Sequence, residues 1–499
     1  MQPFKQKREK SEIIMGIKQK LVSGVIWKGL ERIFAQVVST VVSVILARLL
    51  VPDDYSVVSI VGIFFAFCNL FISGGMNTAL IHKKDADATD YSTILISNTV
   101  AAAVLYGLVF FCAPTIAKLY DKPILTPVFR VMAFSFFVNG YKAVLCAKIS
   151  TDMAFKKFFF ATFIGTIISA GLGVFMAMKG MGAWALVAQQ LSNSVIDTIV
   201  LALTTRLNLN GRFSFERFKE LIGYAGRLIA ASFIATVYNE CNPLIVGIRF
   251  TTTDLAFYNK GMAFPKLINT IGSNTLSGTL FPALSKVQND KNAVLSMTRR
   301  YMKTASFIVF PLSAGLMAVS ENFVRVLLTE KWLPMVPYMV IFCLPYAFDL
   351  IQVGSIQAVK AIGRSDAMLK MEITKKTVYF AIIALFVCFA KQPLALAYTG
   401  WLTCLWATLV NTYATRKLIH YRYRQQILDI LPNLAASVVM AVCVYCMNFI
   451  HLNAFILLPL QIVAGAVIYV GLCIVGKNEN LGYLLKTLKE TLGRRHKAA

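Results

Sequence analysis

Lys28, Glu31 and Arg32 interrupt an apolar run at residues 21–50, LVSGVIWKGLERIFAQVVSTVVSVILARLL. At spacings i, i+3 and i+4 they share one face of a helix. A charge at bilayer depth is costly and persists where it faces a protein interior or a watery cavity. Two readings stand for this face. Lys28 and Arg32 snorkel to cytoplasmic headgroups, or they form a basic wall in a transport cavity.

Other apolar runs carry the same kind of residue: Arg130 and Lys142 at 125–147, Arg227 at 221–249, and Lys260 and Lys266 at 254–285. Lys266 is the deepest. Lys260 and Arg130 can snorkel outward and Lys142 inward. The excess of cations points to an anionic substrate, held by charge-assisted hydrogen bonds to phosphate-like oxygens. A second set is acidic or amide: Asp197 with Gln189, Gln190 and Asn193; Asn239, Glu240 and Asn242; Asp349 with Gln352 and Gln357. An acid such as Asp349, near mid-membrane, must be neutral, paired or cation-bound. Pairing with Lys375 or Lys376 is the plainer reading, and sodium or proton coupling the sharper one. Glu240 stands near Pro243, which frees a backbone carbonyl that can line an ion site. Asp349, Glu240 and Asp197 are therefore the candidate coupling residues. Pro265, Pro282, Pro311 and Pro345 mark further expected kinks.

The elements that position these residues are long apolar helices. Of 499 residues 57% are hydrophobic and 15% charged, against about 25% charged in soluble domains. Segments of helix length without the short alternating strands of a barrel predict an all-α polytopic membrane protein. About fourteen spans are expected, at 21–50, 55–81, 92–117, 125–147, 158–178, 183–204, 221–249, 254–285, 302–320, 335–362, 367–389, 394–415, 428–449 and 454–475. The formal charge of +26 sits in alternate loops. That distribution is a topology signal rather than a nucleic-acid footprint, and it places both termini in the cytoplasm. No cleavable signal peptide is expected.

Span 1 ends ILARLLVPDDYSVVSIV and span 7 ends IVGIRFTTTDLAFYNKG. Each pairs an outer arginine (Arg48, Arg249) with a short loop holding an Asp. Two parallel six-span halves follow from this repeat. The predicted organisation is a basic N-terminus (1–20), an N-lobe (21–204), a linker (205–220), a C-lobe (221–415), spans 13 and 14 with their preceding basic loop (416–475), and a basic tail (476–499). Residues 321–332 read as a short amphipathic helix on the outer surface with Trp332 as its interfacial anchor. Residues 481–495 read as a basic amphipathic helix along the inner leaflet.

No nucleophile elbow, HExxH or P-loop is present, and every loop is short. Neither catalytic residues nor a metal or cofactor site is assigned. Cys443 and Cys446 form a CxxC within an apolar helix, without the matching pair that metal or redox chemistry needs.

An ordered set of motifs resembles a known family: SGVIWKGLERI (23–33), LARLLVPDDYSVVSIV (46–61), GGMNTALIHKKDADATDYSTI (74–94), KISTDMAFKK (148–157), LFPALSKVQND (280–290), EKWLPMVPYMVIFCLP (330–345) and KAIGRSDA (360–367). Together they resemble the polysaccharide-transporter (Wzx-type) branch of the MOP flippase superfamily, the exporters of colanic-acid, capsule and O-antigen repeat units. The resemblance implies a V-shaped MATE-like bundle of two six-helix lobes about a central cavity, with spans 13 and 14 outside. It implies a non-enzymatic flippase of the bacterial inner membrane that moves undecaprenyl-pyrophosphate-linked oligosaccharides to the periplasmic leaflet by alternating access. Spans 1, 2, 7 and 8 would line the portal. Lys28, Arg32, Arg227 and Lys266 would then meet pyrophosphate, with Lys260 and Arg130 as further candidates. Protons, sodium or membrane potential would drive the cycle. Expected partners are membrane lipids and the polysaccharide polymerase and chain-length machinery, with no nucleic acid and a monomeric chain. Rival readings are a peptidoglycan-precursor flippase, a MATE-like drug or cation antiporter, and a membrane glycosyltransferase or O-antigen ligase.

Overall fold

The computed structural model describes residues 27–73, 75–83, 86–450 and 452–482. The chain divides into two compact units, Met1–Thr253 and Asp254–Ala499. The first holds α1 (Trp27–Leu49), α2 (Pro52–Ser73), α3 (Met76–His82), α4 (Ala88–Leu119), α5 (Leu125–Ala133), α6 (Ser135–Thr151), α7 (Lys156–Met178), α8 (Ala183–Thr204) and α9 (Phe215–Arg249). The second holds α10 (Thr252–Lys286), which begins at the junction, then α11 (Lys291–Ala318), α12 (Ser320–Leu327), a 3-10 turn (Glu330–Met335), α13 (Val336–Ala361), α14 (Ser365–Phe389), α15 (Pro393–Ile419), α16 (Tyr423–Cys446) and α17 (Ala454–Val475).

In the first unit the closest helix pair is built on a stripe of small residues. Ala161, Gly165, Ser169, Gly173 and Ala177 recur every fourth position on α7, and all are buried. Without large side chains on that ridge the backbones approach closely, which is how membrane helices gain packing energy when lipid is as apolar as the protein. A Cβ on Gly173 would meet Gln189 Cβ at 2.8 Å on α8. A second apolar cluster ties α9 to its neighbours through Leu80 on α3, Ile94 on α4, Val144 on α6, and Leu221 and Ala225 on α9.

The second unit packs α11 against α13 and α16. Tyr301, Met302, Val309 and Phe310 of α11 meet Leu350 and Ile351 of α13, and Asn433 of α16 donates to Ser306 at 2.8 Å. Loop residues supply the missing acceptors at helix starts. Asp87 caps α4 in a reciprocal box with Asp90, Asp290 caps α11 and Asn453 caps α17.

Among the described residues eleven helical segments are long and apolar enough to cross a membrane, or twelve if Phe215–Gly223 and Ala225–Arg249, bent by 44°, count as one. Helices α10 and α14 lie where two further spans were expected. They fall short in apolarity because α10 carries Asp254, Lys260 and Lys266, and α14 carries Asp366, Lys370, Glu372, Lys375 and Lys376. The bend of the seventh span falls between Gly223 and Ala225, not at Pro243. There Gly75 approaches so closely that a Cβ on it would lie 2.6 Å from the Ala225 carbonyl oxygen.

The internal repeat is visible in the helix boundaries. Two residues separate α1 from α2, and two separate α9 from α10. Pro52 and Thr252 open the second helix of each pair 200 residues apart. Two expectations are corrected. Trp332 is fully buried rather than an interfacial anchor; its ring takes Phe257 edge-on at 6.1 Å. The α12 segment supplies the amphipathic helix alone, and Trp332 follows it in the 3-10 turn. The basic N-terminus and nearly all of the expected tail helix at 481–495 lie outside the described residues.

Candidate functional site

The first unit contains a half-buried polar column assembled from α2, α6, α7 and α8. Lys142 on α6 binds Asp197 on α8, Nζ to Oδ2 at 2.8 Å. Asp197 is 7% exposed, and its Oδ1 has no hydrogen-bond partner. The room for that oxygen comes from Gly165, where a Cβ would lie 2.3 Å from it. Three residues back along both helices stands an uncharged rung. Ser194 donates its hydroxyl to Asn139 Oδ1 at 2.7 Å, Asn139 donates to Asn69 Oδ1 at 3.1 Å, and Asn69 donates to the Phe65 carbonyl at 2.9 Å. Spacing i, i+3 puts both rungs on the same faces of α6 and α8.

Thr162 on α7 brings α1 to this column, donating to Glu31 Oε1 at 3.4 Å. Glu31 is within electrostatic reach of Lys28, Arg32 and Asp197. The Lys28 ammonium lies 5.3 Å from the Phe155 ring centre at the start of α7. Trp27 and Phe34 pack on Phe159 at 5.3 and 6.1 Å. The charged face of α1 therefore looks toward α7.

The remaining predicted residues are spread over both units. Arg32 and Arg227 are exposed, and Arg227 Nε reaches the Gly223 carbonyl at 3.4 Å. Arg130 stacks on Phe110, guanidinium carbon to ring centre 4.0 Å, with Nε buried and unsatisfied. In the second unit Lys266 is exposed, while Lys260 is buried with its ammonium 5.6 Å from the Trp332 ring centre. Glu240 is half-buried on α9. Asp349 is exposed and makes no salt bridge among the described residues. Asp349 makes no direct salt bridge with Lys375 or Lys376, although Lys375 remains within its electrostatic reach. Lys375 binds Glu372 on its own helix instead, at 2.5 Å. Lys142, which could snorkel, binds Asp197 in the protein interior. Among the described residues no group of three metal-ligating side chains occurs.

The linker at 205–220 is clasped to the start of α4. The backbone amides of Asn210 and Gly211 donate to Ser92 Oγ, and that of Ser214 donates to Thr93 Oγ1. The buried Asp90 accepts from Lys83 at 3.0 Å and pairs with Arg217 at 3.2 Å. Arg217 also binds Asp87 and holds its carboxyl below the usual carboxylate range.

A family model described as polysaccharide biosynthesis protein matches residues 45–337, more than half of the chain. The chain belongs to this family. This polysaccharide biosynthesis protein is 23% identical over 451 residues to lipopolysaccharide biosynthesis protein WzxC of Escherichia coli (strain K12), covering 85% of this chain and 88% of WzxC. It is 22% identical over 290 residues to succinoglycan biosynthesis transport protein ExoT of Rhizobium meliloti (strain 1021), 58% of each chain. The solved structure of lipid II flippase MurJ in its inward closed conformation superposes with a TM-score of 0.73 at 16% identity, covering 91% of this chain and 99% of MurJ. The chain thus shares the fold of that structure, and the polysaccharide biosynthesis protein is a multi-pass membrane protein.

Sequence reasoning missed the Asn69–Asn139–Ser194 rung. Its only signal is the matched i, i+3 spacing of Asn139 with Lys142 and of Ser194 with Asp197.

Proposed function

We propose that this protein is a flippase that carries undecaprenyl-pyrophosphate-linked oligosaccharide repeat units across the bacterial inner membrane for lipopolysaccharide, capsule or exopolysaccharide synthesis. It acts as a monomeric transporter, not an enzyme, by alternating access and with both termini in the cytoplasm. It hands its cargo to the polymerase and chain-length machinery. The observation that carries the reading is an asymmetry of charge. Lys28, Arg32, Arg227 and Lys266 are exposed on their helices, whereas Asp197 is buried and neutralised by Lys142. Exposed cations can compensate a pyrophosphate that would otherwise be costly to hold in a low-dielectric space. Lys260 and Arg130 are secondary contacts.

In this reading Asp197, set against Lys142, is the first acid on which coupling to protons, sodium or membrane potential can rest. Glu240 and Asp349 are the other acids on which coupling can rest.

The test is complementation of strains lacking a polysaccharide flippase or a lipid II flippase. Rescue of the first strain alone is expected. In it the Lys28→Ala/Arg32→Ala/Arg227→Ala/Lys266→Ala variant should lower surface polysaccharide roughly tenfold or more, the value of losing one or two charged hydrogen bonds, with the lipid-linked unit accumulating on the inner leaflet. Full export by that variant rules out the cationic site. In proteoliposomes Asp197→Asn should make transport indifferent to an imposed proton or sodium gradient; retained gradient dependence moves coupling to Glu240 or Asp349.

A further inference from the structure

The second unit has a cavity of about 290 Å³ where the basic ends of α11, α16 and α17 meet. One side of it is polar, with Lys303, Asp429, Asn433, Lys477, Asn478, Glu479 and Asn480; the other is apolar, with Leu428, Pro432, Ala436 and Leu472 among its residues. Most of the polar groups are already committed. Asp429 is held by Arg299 through both oxygens at 2.7 and 2.8 Å and by the Tyr421 hydroxyl at 2.7 Å. The Asn433 amide donates to the Lys303 carbonyl and to Ser306 Oγ, and its oxygen accepts from Asn478. Asn478 in turn accepts from the Asn480 backbone and side chain. These bonds make a rigid wall and leave no amide donor of Asn433 for a ligand.

What remains is cationic. Lys477, just past the end of α17, is exposed and forms no ion pair among the described residues. Lys303 lies 3.6 Å from Asp429 and 3.1 Å from Glu479, whose side chain is 78% exposed. Glu479 is thus an easily displaced partner, since exposed ion pairs contribute little. The Asp429 charge does not oppose an anion strongly, because Arg299 and Tyr421 already compensate it. Leu428, on the apolar side of the cavity, is 54% exposed, so that wall opens outward at the first turns of α16.

We propose that this cavity binds the headgroup of an anionic glycerophospholipid of the inner leaflet. Lys303 and Lys477 take the phosphate, and the acyl chains leave past Leu428, Pro432 and Leu472. Two lysines on one side of the cavity and an apolar wall on the other match an anionic amphiphile, and basic pockets between spans at the cytoplasmic surface suit such headgroups. The volume accommodates a phosphate with its glycerol and is at the small end for anything larger. The ligand stays in the membrane as a bound lipid and is distinct from the transported cargo.

Native mass spectrometry of the full chain in detergent tests this, with dioleoyl phosphatidylglycerol, dioleoyl phosphatidylethanolamine or inorganic phosphate added separately. Retained phosphatidylglycerol adducts in clear excess over phosphatidylethanolamine are expected. Lys303→Gln/Lys477→Gln should weaken phosphatidylglycerol binding roughly tenfold or more, the value of one or two charge-assisted bonds. Lys477→Gln alone, at an exposed position outside the core, should give a smaller loss in the same direction and keep the parent melting temperature. Equal retention of the two lipids, or unchanged phosphatidylglycerol binding by both variants, overturns the proposal. Displacement of the lipid by an equal concentration of inorganic phosphate overturns the lipid as the source of the anion.

Discussion

Lys142→Ala is expected to lower the stability of the first unit by about 3 kcal/mol, the lower end of what breaking a buried ion pair costs. The pair sits at 2.8 Å with the Lys142 side chain 30% exposed and that of Asp197 10% exposed. Removing the cation leaves a carboxylate whose Oδ1, against Gly165, already lacks a donor and whose Oδ2 loses Lys142. The residual exposure of Lys142 keeps the loss at the lower end. Melting of the purified variant in detergent reads the effect. Lys142→Ala/Asp197→Ala should recover most of the loss, because the cost lies in the stranded charge rather than in the missing attraction. A single variant that melts with the parent would show that water reaches Asp197 and that the column is wet in the resting state.

Gly261→Val should cost about 3 kcal/mol or more and sharply reduce the yield of monodisperse protein, the upper range of overpacking. A Cβ on Gly261 would stand 2.6 Å from the Tyr338 Cβ, 3.0 Å from the Met335 carbonyl oxygen and 3.1 Å from the Met339 amide nitrogen. Two of those atoms are backbone at the start of α13, so neither can swing aside. Lys260, one residue earlier, depends on the same contact for its place against Trp332. The comparison is Gly171→Ala on α7, where a Cβ meets nothing within 4 Å. That change should stabilise by about 0.5–1 kcal/mol through helix propensity alone. Opposite signs for the two glycines, read as melting shifts, are the expected result. A tolerated Gly261→Val would mean that α10 and α13 separate at little cost.

The two glycines look alike in the sequence, and what each allows is a property of the neighbour it meets. The same limit applies to the charges. Apolar length and the repeated arginine–loop–Asp signature were enough to predict an all-helical membrane fold and the twin helix pairs, because those depend on backbone hydrogen bonding and on the cost of charge in lipid. The family motifs were equally legible. Which charges meet was not. Lys142 read as able to snorkel and binds Asp197; Asp349 read as pairing with α14 and reaches Lys375 only without a direct salt bridge; Trp332 read as an interfacial anchor and is buried beneath Lys260. A helix face is set by local periodicity, but its partner is set by the crossing of helices far apart in the chain. Only that crossing brought Glu31, Thr162, Gly165 and Asp197 into one column. The face carrying Lys28, Glu31 and Arg32 was thus determined by the sequence, whereas its orientation toward α7 was decided by tertiary packing.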